Sequence, residues 1–172
     1  MNFAIGWYAL YVKSRWEKKV YESLKDISLE SFLPQITTVK QWSDRKKTIL
    51  KPLFSSYVFV NINSSLEFHK ALSVNGACAY IRFRKEYAKV TEKETNQIEL
   101  LTGDKNISDI ETNVVLPKIG EIKKNTYDPL NGLDCEIIKA DNHNKIIVRI
   151  DSLQQSIMAT IPSYVLSKVS II

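Results

Sequence analysis

The chain is predicted to be an α+β protein: a ferredoxin-like antiparallel sheet with helices packed on one side, followed by a small β-barrel. Three observations lead there. Segments of period two and period 3.6 follow one another as β-α-β-β-α-β over residues 1–102, with one trailing helix. A polar, aperiodic stretch from Gly103 to Val114 then breaks the pattern and reads as a linker. Beyond it come several short strands within residues 117–172, which suit a small barrel better than a sandwich. The expected domains are therefore 1–102 and 117–172, joined by 103–116.

Trp7–Val12 is the first strand, short and rich in aromatics. Ser14 with Glu17 three residues on has the form of a capping box, and Trp16, Val20, Leu24 and Ile27 recur at helical spacing behind it. Phe32-Leu33-Pro34 enters a second strand that runs to about Trp42. Ser43-Asp44-Arg45-Lys46-Lys47 is the turn that brings the chain back into a third strand, Pro52–Ile62. Along that strand Tyr57 and Phe59 share one face, while Val58, Val60 and Ile62 share the other. An aliphatic face suits packing on helices; an aromatic face opposite needs either more protein or a partner.

Ser64 with Glu67 marks a second capping box and a short helix ended by Asn75-Gly76. Ala79–Phe83 is the fourth strand. Thr91 with Glu94 opens a third helix, apolar at Ile98 and Leu101. In the second domain the strands fall at Glu121–Lys124, Cys135–Ala140, Lys145–Ile150 and Ile157–Ile161, with turns at Asn131-Gly132 and Asp141–Asn144.

Composition excludes several functions. The 172 residues, 44% hydrophobic and 25% charged, are those of an ordinary globular protein long enough to bury a core. No apolar run approaches the roughly 20 residues of a membrane span. Met1–Gly6 lacks the basic and apolar regions of a signal peptide, so a cytoplasmic protein is expected. Cys78 and Cys135 are too few for a disulfide framework or a zinc site and are expected to be buried, reduced thiols. His69 and His143 have no partners at metal-ligand spacing, the 5 glycines form no phosphate loop, and no serine sits in a nucleophile elbow. Neither catalysis nor a cofactor nor a metal is expected.

Charge and aromatic placement carry the functional signal. Residues 1–102 hold 16 basic and 10 acidic residues, net +6, and residues 103–172 hold 8 and 9, net −1. Lys40, Arg45, Lys46, Lys47 and Lys51 crowd around one hairpin with only Asp44 opposing them. A hairpin tip is often basic for solubility alone, but Lys13 and Arg15 at the first strand-helix junction, and His69 and Lys70 on the second helix, could share a rim with it. Such a rim would neutralise phosphates without reading sequence. Tyr11, Tyr57, Phe59 and Phe83 fall on three strands, and Phe54 stands at the start of one of them. Left in water such a cluster is costly, so it should meet another domain or another protein.

Trp7-Tyr8-Ala9-Leu10-Tyr11, the strand start at Pro34, Pro52–Val60 and Ile81-Arg82-Phe83 resemble the N-terminal domain of the NusG family in order and spacing. Gly120–Val169, with Leu130-Asn131-Gly132 and Ile161–Leu166, looks like the KOW domain that follows it, an SH3-like barrel. The short form with a basic hairpin is most similar to the specialised RfaH-like and UpxY-like antiterminators. The resemblance implies a non-enzymatic, monomeric elongation factor that docks on the clamp helices of RNA polymerase and suppresses pausing and termination, with service at selected operons. On this chain it implies that Tyr11, Phe54, Tyr57, Phe59 and Phe83 face polymerase. It implies that Lys13, Arg15, His69 and Lys70 lie near upstream or non-template DNA, with Arg45, Lys46 and Lys47 approaching polymerase or DNA from the other side. The KOW segment would meet Rho or a ribosomal protein. Ser55-Ser56 departs from the family, which usually has Pro followed by Gly or by a small or polar residue there. The competing reading, a general RNA-binding or ribosome-associated KOW module, is opposed by the charge split, because the excess of cations lies in residues 1–102 and residues 103–172 are net −1.

Overall fold

Strand β1 (Gly6–Val12) lies at the middle of the first sheet, and its alternation decides what sits on either side. The computed structural model describes residues 4–112, 121–124, 134–140 and 143–162, in two units, Met1–Glu92 and Lys93–Ile172. In the first, β1 is followed by helix α1 (Glu17–Asp26), β2 (Ser31–Phe32), β3 (Gln35–Gln41), β4 (Lys46–Pro52), β5 (Tyr57–Ile62), α2 (Ser65–Leu72) and β6 (Ala77–Tyr80). Short strands β7 (Arg82–Phe83), β8 (Glu86–Tyr87) and β9 (Lys89–Val90) complete it. The sheet order is β2-β5-β1-β6, with β9 also paired to β1. Tyr8, Leu10 and Val12 of β1 and Val58, Val60 and Ile62 of β5 pack with Val20 and Leu24 of α1 and with Phe68 and Ala71 of α2. Each fully buried aliphatic side chain there contributes about 1.5–3 kcal/mol. The other face of β1 and β5 carries Trp7, Ala9, Tyr11, Tyr57 and Phe59.

The two long strands expected around the basic turn are each broken in two. Pro34 has no N–H to continue a ladder, and the chain bends at Leu33-Pro34, so only Ser31–Phe32 stays on β5. On the return, Leu53–Ser56 separates β4 from β5, and the Leu53 N–H donates to the Pro34 carbonyl at 2.8 Å across the bend. The outer halves, β3 and β4, pair only with each other as a free-standing hairpin. The expected fourth strand also breaks, at Ile81, so Phe83 lies on the separate β7–β8 hairpin.

Of the capping boxes, the second forms: Ser64 Oγ accepts from the Glu67 N–H at 3.2 Å, and the Glu67 carboxylate returns to the Asn63 N–H at 2.7 Å. The first does not. Helix α1 starts at Glu17 with Trp16 as its N-cap and no side-chain cap bond, because the Glu17 carboxylate is engaged elsewhere. Gly76 is not the cap of α2 either; that helix ends at Leu72. Gly76 sits at φ +98 in the turn into β6, where a Cβ would lie 2.6 Å from the Trp16 indole. Cys135 is buried as expected, but Cys78, in the outermost strand β6, is exposed.

The second unit takes α3 (Glu92–Gly103) from its second residue on, then β10 (Ser108–Thr112), β11 (Glu121–Lys124), β12 (Asp134–Ala140), β13 (His143–Ile150), a 3₁₀ turn at Asp151–Leu153 and β14 (Gln155–Ile161). The strands form one antiparallel sheet in the order β10-β14-β13-β12-β11. Ile146 and Val148 stand opposite Ala159 and Ile157, and all four are buried. Two sequence expectations change here. Helix α3 groups with the second unit, where the buried Glu94 carboxylate accepts from the Ser152 N–H at 2.9 Å. Part of the expected linker is strand β10, paired along β14. Among the described residues the sheet is open and no barrel closes. The turns at Asn131-Gly132 and Asp141-Asn142 lie outside the described residues.

Candidate functional site

Tyr11 and Tyr57 are direct cross-strand partners at the ends of β1 and β5, on the face away from the helices. Their rings meet edge to face, 6.2 Å between centroids and 71° between planes. Tyr11 remains 45% exposed, and exposed Ala79 of β6 stands beside it across the ladder. The result is a small aromatic shelf. A Tyr there presents an apolar body with a wet hydroxyl, which is the composition of a protein-contact anchor.

Phe54 and Phe59 do not join that shelf. They are 2% and 1% exposed and pack edge to face at 5.8 Å, with Phe32 6.0 Å from Phe59 on the far side. They support the sheet from within. Phe83, on its own hairpin, is half-buried and lies off the sheet. So the structure brings together two of the five aromatic residues predicted for this surface.

The turn that aims Tyr57 is built from an unexpected residue. Ser56 adopts φ +64, the left-handed region that favours glycine. Two bonds hold it there. Its N–H donates to Glu17 Oε1 at 2.7 Å, and its carbonyl accepts from the Val12 N–H at 2.9 Å. Glu17 is itself buried, 7% exposed at the start of α1. Where a glycine would adopt this conformation freely, the chain holds a serine in it with a buried carboxylate. The interaction spans 39 positions, so no local pattern announces it. Ser-x-x-Glu at the head of a helix points instead to a capping box.

The cations do not form one rim. Lys13 and exposed Arg15, at φ +65, precede the N-terminal end of α1, where the Lys13 ammonium lies 5.3 Å from the Trp16 indole centroid. Lys70 donates to the carbonyl oxygen of Ile27 at 3.1 Å, at the other end of α1. That end is some 15 Å away, given the 10 residues of the helix. Lys70 thus satisfies an orphan carbonyl of a helix C-terminus. His69 is exposed beside the Phe68 ring. Arg45, Lys46 and Lys47 are exposed at the tip of the β3–β4 hairpin, whose strands pair with none of the first sheet. Among the described residues no cluster of His, Cys, Asp and Glu is suited to hold a metal ion, and no helix is long and apolar enough to cross a membrane.

Residues 6–99 match the family model described as transcription termination factor nusG, which is more than half of the chain. The chain belongs to the NusG family. Members of this family are transcription factors and not enzymes, and this chain is one of them. The NusG structure from Thermotoga maritima, solved for the interaction of its domains, is similar in fold. It has a TM-score of 0.51 and 19% identity, over 91% of this chain and 93% of that one. A chain of the MjSpt4:Spt5 complex in conformation A aligns over 96% of this chain and 97% of that one, at 13% identity and a TM-score of 0.32. No curated protein sequence matches significantly. In this NusG-family chain the matched segment contains the whole Tyr11–Tyr57 shelf, the Glu17–Ser56 clamp and the basic hairpin.

Proposed function

We propose that this protein is a transcription elongation factor of the specialised RfaH-like and UpxY-like type, which docks on the clamp helices of RNA polymerase and relieves pausing and termination at selected operons. The observation that carries the reading is the Tyr11–Tyr57 pair, exposed Tyr11 against half-buried Tyr57, on the helix-free face of a NusG-family sheet. Tyr11 and Tyr57 are the contact residues, and Phe54 and Phe59 keep the sheet in shape beneath them. Lys13 and Arg15 reach upstream or non-template DNA from one side, while the hairpin cations reach nucleic acid from another. His69 stays available for the same role, whereas Lys70 is occupied by α1. The second unit acts as the KOW domain, with Rho or a ribosomal protein as its partner, and the factor works as a cytoplasmic monomer.

Pull-down with purified core RNA polymerase tests the docking. Tyr11→Ala and Tyr57→Ala should each weaken binding by about 2 kcal/mol, roughly thirtyfold, with little change in melting temperature. Undiminished binding of the double variant would remove the shelf from the interface. A single-round transcription assay over a pause site and a terminator decides the direction of the effect. Added protein should shorten the pause and raise read-through; increased termination would reverse the antitermination reading.

A further inference from the structure

The β3–β4 hairpin has two unlike faces. Residues directly opposed across an antiparallel ladder share a face, and successive pairs alternate. Ile36 with Lys51, Thr38 with Ile49, and Lys40 with Lys47 therefore lie on one side. Trp42 and Arg45 follow in the same phase, past the Gln41–Lys46 pair, joined by a Trp42 N–H to Arg45 carbonyl bond of 2.8 Å. The Lys40 ammonium stands 4.8 Å from the centroid of the Trp42 ring, so those two side chains are on the same side. Lys46, the middle cation of the turn, belongs to the opposite face. One face thus carries Lys40, Arg45, Lys47 and Lys51 around an indole that is 51% exposed. Neither strand contains an acidic residue; Asp44, in the turn, is the nearest.

Exposed cations alone are what a soluble hairpin often has. The indole changes the chemistry required of a partner, which must offer both repeated negative charge and a flat apolar surface. We propose that this face binds single-stranded nucleic acid, with an unstacked base lying on Trp42 and backbone phosphates on Lys40, Arg45, Lys47 and Lys51. A duplex keeps its bases stacked on one another and has no face to offer the indole, so the single strand is preferred. The cations extend about 20 Å along the hairpin, room for several nucleotides. The inference deepens the nucleic-acid contact of the proposed function, and it adds three residues, Lys40, Trp42 and Lys51, to that contact.

The test uses the full chain without polymerase. Fluorescence anisotropy is followed with a labelled oligo(dT) of about a dozen nucleotides, within the usual site size for single-strand binding, and with a duplex of the same length. The single strand should bind more tightly than the duplex. Trp42→Ala should weaken it about tenfold, while Trp42→Phe, which keeps a ring, stays within about threefold of the unmodified protein. The logarithm of the binding constant should fall with the logarithm of salt at a slope near −3, about −0.7 for each of the four cations, and Lys47→Ala should flatten it by one such step. Equal binding of duplex and single strand, unchanged binding by Trp42→Ala, or no binding at low salt would each overturn the proposal. Tyr11→Ala and Tyr57→Ala should leave oligonucleotide binding unchanged, so failure of polymerase docking and failure of strand binding are read separately. If the hairpin variants lose polymerase but never bound the oligonucleotide, the face meets protein and the proposal is wrong.

Discussion

Single residues settle how the aromatic shelf is held. Glu17 is a buried carboxylate whose Oε1 accepts from the Ser56 N–H. A hydrogen bond to a charged group contributes about 1.5–3 kcal/mol. Glu17→Ala should therefore lower stability by about 2 kcal/mol in urea melts. Ser56→Gly should recover part of that loss, since glycine adopts φ +64 without a Cβ penalty. Additive effects in the double variant would disconnect the two residues. Tyr80 allows a second test. Its hydroxyl donates to the Phe68 carbonyl at 2.9 Å, and burial, with Tyr8 and Tyr87 beside it, raises its pKa well above the ordinary tyrosine range. The folded state thus favours the neutral phenol. Its contribution is complete below the unfolded tyrosine pKa of about 10 and declines as pH rises beyond it. Between pH 8 and pH 11, Tyr80→Phe should lose less stability than the unmodified chain, although it starts about 1 kcal/mol lower for want of the hydrogen bond. Parallel losses in the two proteins would refute the assignment.

At the scale of elements, the strand Tyr57–Ile62 divides its work by residue parity and by position. Val58, Val60 and Ile62 face the helices. On the opposite face Phe59 is enclosed by Phe54 and Phe32, while Tyr57 lies at the open end with Tyr11. Sequence alone treats Tyr57 and Phe59 alike, as two rings on one face. The structure predicts different outcomes. Phe59→Ala should cost about 3–5 kcal/mol of folding stability. Tyr11→Ala should change stability by less than about 1 kcal/mol, as befits an exposed side chain. Thermal melting of the two variants decides it, and equal losses would mean that the rings form one core.

For the whole molecule, the informative element is α3. Its buried Ile98 and Leu101, and the Glu94 carboxylate on the Ser152 N–H, belong to the unit Lys93–Ile172. A fragment of residues 93–172 should melt cooperatively, whereas one of residues 103–172 should be less stable, because it loses the apolar face of α3 and leaves the Ser152 N–H without its carboxylate. Circular dichroism melts of both fragments test this. Equal stability would return α3 to the first unit.

Much of this was legible in the chain. Period two in Trp7–Val12 and Tyr57–Ile62, and period 3.6 in Val20 and Leu24, determine strands and helices because side-chain direction follows from local geometry alone. The Ser64–Glu67 box, Cys135, and the strands β11 to β14 followed from signals within a few residues. The motifs starting at Trp7 and Pro52 were enough to indicate the NusG family. What the tertiary structure decided was every question of what covers what. Pro34 and Leu53 turn two strands out of the sheet, and that places the basic hairpin on its own. The burial of Phe59 and Phe54 beside an exposed Tyr11 depends on rings brought together from separate strands. Glu17 reaches across the fold to Ser56 instead of capping its own helix, and Lys70 reaches Ile27. Such contacts join residues far apart in the chain, and their free energy depends on which groups the fold brings within reach, a quantity that no local window of sequence contains.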